Sequence, residues 1–196
     1  MKRAFMMGVS ATFFVLSECA LAQTQISMTT GIANSLQSIY REPKFEFYPE
    51  IHISKNVLNS PDGKPALKAG VYSAYLAENG NKRAACIDCA IYSYRSVLTG
   101  LRLTASPHDL PIPLNFFGGL SMRFINADVL TISGWGPPET DFHDEILSLD
   151  WGVSVQFQIT NKHGAGFGFQ QYRPLLWKSG YYRAQNALGL IFSYSP

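Results

Sequence analysis

The chain has 196 residues and a formal net charge of +2, a length that suits one domain of ordinary size. This near balance of charge gives no sign of a nucleic-acid partner or of a strongly acidic one. Charged residues make up only 15% of the chain and aromatic residues 13%, whereas charged residues are roughly a quarter of a typical soluble protein. Much of the surface is therefore predicted to face something other than water.

The first 22 residues have the features of a secretory signal peptide. Lys2 and Arg3 precede an apolar run over residues 4–16, and Ala20-Leu21-Ala22 follows as a cleavage site. The apolar run is shorter than the roughly twenty residues that a transmembrane helix requires. We therefore predict that residues 1–22 are removed on export and that residues 23–196 form one domain.

The rest of the chain is built from segments in which apolar and polar residues alternate. The clearest runs from Leu147 to Thr160, where Trp151 and Phe157 lie on one face while Asp150 and Ser154 lie on the other. Alternation with a period of two predicts β-strands that have unlike faces. Eight such strands are predicted, at residues 26–33, 44–54, 66–77, 90–104, 114–127, 147–160, 165–173 and 184–194.

The polar face of the segment 147–160 indicates what surrounds the sheet. It consists of small, amide or glycine residues with a single charge, Asp150, whereas the outer face of a soluble barrel is mixed and charged. A lipid-facing strand that lines a crowded polar lumen has this pattern. No later segment offers eighteen consecutive apolar residues, so a chain embedded in a membrane must cross it as a closed barrel. The predicted fold is an all-β, eight-stranded, antiparallel, up-and-down transmembrane β-barrel.

Two irregularities are expected within the strands, and one long connection is expected between two of them. Pro49 cannot donate to a ladder and predicts a bulge or a local break in pairing. The alternation slips near Arg95 and Ser96, where a bulge is expected. The longest connection is predicted over residues 128–145, a polar stretch that includes Asp141 and Asp144.

The signal peptide, the eight alternating segments and the closing segment Gly189–Tyr194 together resemble the small eight-stranded outer-membrane β-barrel proteins of Gram-negative bacteria. The resemblance covers essentially the whole mature chain, as a pattern rather than as a motif. It implies a monomer in the outer membrane, in contact with outer-membrane lipid and lipopolysaccharide. It also implies the barrel-assembly machinery as a partner during biogenesis.

Inward-facing positions of the predicted strands collect most of the charges that could carry a function. Because buried charges must be paired and hydrogen-bonded, we expect these side chains to form one network that fills the lumen and fixes the register. A constricted charged path for small solutes is the functional alternative. The predicted network consists of Glu46, Glu50, His52, Lys68, Arg102, Arg123 and Asp150.

A second hypothesis concerns three residues on one face of the second strand. His52, Ser54 and Glu50 are a base, a hydroxyl nucleophile and a carboxylate, which are the components of acyl hydrolysis. The His-x-Ser spacing is similar to that of the outer-membrane lipid A deacylases, which are also eight-stranded barrels. This resemblance implies a hydrolase that acts on lipid A, whereas the default prediction is that the chain has no catalytic residues.

Two cysteines remain after the predicted cleavage, in Cys86-Ile87-Asp88-Cys89. Export favours a disulfide between Cys86 and Cys89 that closes a tight loop. A zinc site would need two further cysteine or histidine ligands, and none lies close in sequence. The sequence therefore predicts no metal site and no cofactor.

We expect a structural, adhesive or small-solute role in the outer membrane, with longer connections on the outer side. Besides the lipid A hydrolase, a secreted lipocalin-like barrel that binds an apolar ligand internally is an alternative. The orientation of the strands separates these classes, because a lipocalin-like barrel encloses its apolar face while a membrane barrel turns that face outward.

Overall fold

A computed structural model describes residues 24–35, 46–79, 89–107, 109–131, 139–175 and 184–196. In this part of the chain eight strands form one closed barrel. None of the described residues belongs to a helix that is long and apolar enough to cross a bilayer. The strands are β1 (Thr24–Ser35), β2 (Glu46–Asn59), β3 (Pro65–Asn79), β4 (Cys89–Ala105), β5 (Leu114–Thr131), β6 (Glu139–Gln158), β7 (His163–Pro174) and β8 (Gln185–Tyr194).

Each strand pairs antiparallel with the next, and β8 closes the sheet on β1. The predicted up-and-down barrel is confirmed. The row of paired residues that starts at Gln25 passes once around the barrel and returns to β1 at Ser35, ten positions further along. A stagger of this size in a barrel of eight strands goes with a strand tilt of about 40°.

The orientation predicted for residues 147–160 is also confirmed. Trp151 and Phe157 are 46% and 54% exposed on the outside of the barrel, whereas Ser148 and Asp150 are 0% exposed inside it. The regular strand ends at Gln158, so the last two predicted residues belong to the turn that follows.

The same division holds around the whole circumference. Large apolar side chains point outward from every strand and form a continuous exposed surface, here called the apolar belt. Its members include Ile26, Met28, Phe47, Ile51, Tyr75, Leu101, Leu103, Phe116, Leu120, Phe124, Trp151, Phe167, Leu188, Leu190 and Phe192.

The prediction of a long connection over residues 128–145 was wrong. β5 continues to Thr131 and β6 begins at Glu139, and the two strands stay paired as far as Leu130 and Glu139. This part of the hairpin lies on the loop-end side of Phe124, the last exposed apolar residue described on β5. Apolar and polar residues do not alternate there in the sequence, although backbone pairing continues.

One of the two predicted irregularities is present and the other lies elsewhere. Pro49 pairs with Thr30 of β1 without a shift, but the ladder between β2 and β3 begins only at Glu50 and Ala74, although β3 continues to Asn79. The predicted local break in pairing at Pro49 is therefore confirmed on the β3 side, as expected of a residue that cannot donate to a ladder. The register of β4 on β5 shifts between Ile91 and Ser93 rather than at Arg95 and Ser96.

The two ends of the barrel differ. The turn end carries the connections 60–64, 106–113 and 159–162, whereas the loop end carries the connections 36–45, 80–88, 132–138 and 175–184. All the loop-end connections except 132–138 are longer than any connection at the turn end. At the turn end Gly63 has a φ of 80°, which suits a residue without a Cβ. Hydrogen bonds from Ser60 and Lys64 hold the pKa of Asp62 in the same turn down at about 2.

Candidate functional site: the charged lumen

Three of the predicted lumen charges meet at the centre of the barrel. Arg102 of β4 donates through Nη1 and Nη2 to the two carboxylate oxygens of Glu50 on β2, at 2.6 and 2.9 Å. Its Nε donates to Asp150 Oδ2 of β6 at 3.0 Å. All three side chains are buried. A bidentate pair of this kind fixes both distance and orientation, so Arg102 ties together strands that are not neighbours in the sheet.

Three buried tyrosines complete this cluster. Tyr48 and Tyr172 donate to Glu50 Oε2 at 2.8 and 2.7 Å, and Tyr72 donates to Asp150 Oδ1 at 2.8 Å. The phenol oxygens of Tyr48 and Tyr172 also lie 2.7 Å apart. These tyrosines were not among the residues predicted for the site, although their inward parity is the same as that of the charges. Their hydroxyl groups supply donors to carboxylates that one arginine does not neutralise alone.

Aromatic rings and an amide enclose the rest of the cluster. The guanidinium carbon of Arg102 lies 3.9 Å from the ring centroid of Tyr72 and 4.6 Å from that of Phe117, so the cation is stacked on aromatic surfaces. Gln170 donates from Nε2 to Glu50 Oε2 at 3.2 Å. We call Glu50, Arg102, Asp150, Tyr48, Tyr72, Tyr172, Phe117 and Gln170 the central plug.

Glycine makes room for the central plug. A Cβ on Gly119 would lie 2.8 Å from Asp150 Oδ1 and 3.1 Å from the Cα of Arg102. A Cβ on Gly152 would collide with the ring of Phe117. The backbone carbonyl oxygens of Leu101 and Phe169 lie even closer to these two Cβ positions, so the neighbouring strands as well as the lumen side chains leave room only for glycine.

Two other residues of the predicted lumen network are not seen in the central plug: Arg123 lies away from it, and the side chain of Glu46 is not described. Arg123 is buried on the loop-end side, where it donates to Ser96 Oγ at 3.3 Å and to Gln185 Oε1. Glu46 pairs with Ala33 through its backbone, and its side chain is outside the described part of the structure. Arg123 therefore belongs to a second polar group rather than to the central plug.

Lys68 and His52 lie on the turn-end side of the central plug. Lys68 donates to Gln25 Oε1 at 2.7 Å, and among the described residues it has no carboxylate partner. The Nε2 atom of His52 is buried and has no hydrogen-bond partner among the same residues. Both side chains line a cavity of about 40 Å³. Lys68 and Gln25 also line a wider cavity of about 380 Å³ at the turn end, here called the vestibule.

The arrangement that acyl hydrolysis requires is not assembled. His52 and Ser54 both point into the lumen and are buried, but no hydrogen bond joins them in the described structure. The Glu50 carboxylate accepts from Arg102, the two tyrosines and Gln170 instead of from the imidazole. The carboxylate that would orient the base is thus fully engaged elsewhere.

The predicted disulfide lies outside the described residues. Cys86 is not described, and Cys89 is described only through its backbone pairing with Thr131. Within the described ranges no three histidine, cysteine or acidic side chains come together as a metal site. The pairing of Cys86 with Cys89 stays a prediction.

Comparison with known proteins identifies solved structures that share this fold. No protein-family model matches the chain, and no curated protein matches it. The structure of neisserial surface protein A matches with a TM-score of 0.56 over 91% of this chain and 100% of that chain, at 14% identity. A major outer membrane protein from Thermus thermophilus matches with a TM-score of 0.62 over 90% of this chain and 99% of that chain, at 11% identity. The chain therefore has the fold of the small eight-stranded outer-membrane β-barrel proteins that its sequence resembles.

Proposed function

We propose that the chain is an outer-membrane β-barrel that is sealed at its centre and has a structural or adhesive role. The single observation that carries this proposal is the apolar belt, with Leu101, Phe157 and Phe167 each more than half exposed around a polar interior. Soluble monomers rarely expose contiguous apolar patches of more than a few hundred Å². An acyl-chain environment makes this surface favourable.

The loop-end border of the apolar belt also favours a membrane environment. On β7 and β8 the belt ends at Gln171 and Asn186, where Trp151 of β6 donates from Nε1 to Gln171 Oε1 at 3.1 Å and Gln171 donates in turn to Asn186 Oδ1 at 3.0 Å. On β6 the belt continues past Trp151, since Leu147 and Leu149 are also exposed. Arg173 is exposed on the loop-end side of these residues. An indole with a polar neighbour is the usual residue at the level of lipid headgroups.

The central plug argues against a conducting lumen. An eight-stranded barrel is barely wide enough for its own side chains. Tyr48, Tyr72 and Tyr172 fill that width together with Arg102 and its two carboxylates, and all are buried. A solute path would have to break several charge-assisted hydrogen bonds at once.

The connections at the loop end are the proposed contact surface. Residues 36–45, 80–88, 132–138 and 176–183 contain six lysines and arginines against two acidic residues. Basic groups close to a membrane surface attract anionic headgroups. Lipopolysaccharide phosphates are therefore proposed partners of these connections, with adhesion through the same surface.

The alternatives receive less support. A lipocalin-like barrel requires the apolar face inside, which is the opposite of the observed orientation of β6. A lipid A hydrolase requires a substrate to reach His52 and Ser54, which face the lumen instead of the acyl chains. We expect Ser54→Ala to leave the lipid A profile unchanged in mass spectrometry of whole cells.

A labelling experiment tests the membrane assignment. Single cysteines are placed at Val153, on the belt, or at Ser154, in the lumen, with Cys86 and Cys89 replaced by serine. After fractionation of the cells and reconstitution in lipid vesicles, a fluorophore at position 153 should be quenched by doxyl-labelled lipid, and one at position 154 should not. Recovery of the protein in the soluble periplasmic fraction, or equal quenching at both positions, would reject the proposal.

A further inference from the structure

The turn-end part of the lumen, made of the small cavity and the vestibule, differs from the central plug in having hydrogen-bonding capacity and charge that the described residues leave unused. Lys68 is partly buried, and its ammonium group donates only to the neutral Gln25. His52 Nε2 is buried without a partner. An ammonium taken partly out of water is costly unless an acidic group compensates it.

No described carboxylate can provide that compensation. Glu50 is the one acidic residue among those that line the small cavity, and the vestibule lining contains none. Both oxygens of Glu50 already accept, Oε1 from Arg102 and Oε2 from Arg102, Tyr48, Tyr172 and Gln170. The same saturation leaves no strong acceptor for a bound metal cation.

The shape of the site also suits a small guest. Gly70 lies against the imidazole, since a Cβ there would lie 2.7 Å from His52 Nε2. The space of about 40 Å³ next to this ring continues toward the vestibule, because Lys68, Gln25, Asn115 and Gln156 line both cavities. The vestibule wall adds Lys162 and His163 near its rim.

From these observations we propose that the turn end of the lumen binds a small oxyanion, a phosphate or carboxylate group, that enters through the vestibule and lies between Lys68 and His52. Lys68 provides the charge and His52 donates a hydrogen bond from Nε2. The central plug forms the floor of the site, so that the guest binds without crossing the barrel. The site does not depend on which membrane holds the protein.

The test is a titration of the isotopically labelled full mature barrel in uncharged detergent micelles. Inorganic phosphate and acetate are added separately at constant pH and ionic strength, while the side-chain nitrogen resonances of His52 and Lys68 are followed by NMR. We expect both resonances to shift and to saturate together. The relative affinities for the two anions show whether the site is built for phosphate or for carboxylate.

Matched variants locate the site. Lys68→Gln should weaken anion binding about tenfold, since a charge-assisted hydrogen bond is lost, whereas Lys68→Arg should restore most of the affinity. Lys55→Gln is the control, because this lysine is exposed on the outer face of β2 and lines neither cavity, so that the affinity should change by less than about twofold.

Three results would overturn the proposal. One is a shift that grows linearly and never saturates in the wild-type protein. Another is equal affinity in the wild type and in folded Lys68→Gln. The third is a response at His163 and Lys162 without one at His52 and Lys68. The Lys68 resonance of the unsubstituted protein decides the question even if the Gln variant does not fold.

Discussion

The central plug and the vestibule occupy the same lumen but meet opposite conditions for polar groups. In the plug each charged group has several partners, and Glu50 Oε2 alone accepts from four side chains. In and next to the vestibule, Lys68 has one neutral partner, and His52 Nε2, in the small cavity beside it, has none in the described structure. Inward-facing charge in a narrow barrel therefore has two different roles. Charged groups whose hydrogen bonds are all made hold the strands together, whereas a charged group with unused hydrogen-bonding capacity can bind a small ligand.

The largest predicted effect comes from breaking the central plug. Arg102→Met leaves Glu50 and Asp150 buried without a cation, and removing one partner of a buried pair costs about 3–5 kcal/mol. Urea unfolding of the barrel in lipid vesicles should show this loss of unfolding free energy. The control is Arg95→Met on the outer surface of the same strand, where the side chain is exposed and the change should stay below about 0.5 kcal/mol. Equal effects in the two variants would contradict the role of the plug.

Removing one tyrosine hydroxyl group tests whether the carboxylate of Glu50 depends on the hydrogen bonds that it accepts in the central plug. Tyr172→Phe removes the hydroxyl group that donates to Glu50 Oε2 at 2.7 Å, and a hydrogen bond to a charged group contributes about 1.5–3 kcal/mol. The same unfolding measurement should show a loss in this range. Tyr75→Phe, on the apolar belt, is the matched control and should be close to neutral. A neutral Tyr172→Phe would mean that Glu50 does not depend on this donor.

Gly118 and Gly119 are neighbours on β5, and a side chain added at one would point outward and at the other into the lumen. A methyl group on Gly119 would collide with the backbone carbonyl oxygen of Leu101 and would approach Asp150, whereas one on Gly118 points outward and meets only the Asp150 carbonyl oxygen, at an ordinary 3.7 Å. Gly119→Ala should cost about 1–3 kcal/mol, as overpacking usually does. Gly118→Ala should be neutral or slightly stabilising, because glycine is a poor strand residue. A larger loss at Gly118 would show that the assigned faces are reversed.

Residue type and alternation were enough to predict which face of a strand is buried, but not which side chains meet across the lumen. The alternation around Trp151 determined the outward face, because an apolar outer surface and a polar lumen require opposite residue types at successive positions. The contact between Arg102 and Glu50 depends on the stagger of ten positions around the whole sheet, which is a property of eight ladders together. The extension of β6 to Glu139 escaped prediction for the opposite reason, since backbone pairing beyond the belt needs no alternation.

The smallest predicted effect on stability belongs to Lys68, and it separates the vestibule from the plug. In buffer without oxyanions, Lys68→Gln should change the unfolding free energy by less than about 1 kcal/mol, since the ammonium loses only one hydrogen bond to a neutral amide. Phosphate should then stabilise the wild type and leave the variant almost unchanged, because a ligand that binds only the folded barrel adds RT ln(1 + [L]/Kd) to its stability. Arg102→Met should behave differently, because its loss appears with or without phosphate. If Lys68→Gln were as destabilising as Arg102→Met in anion-free buffer, Lys68 would belong to the structural network and the distinction between the two halves of the lumen would fail.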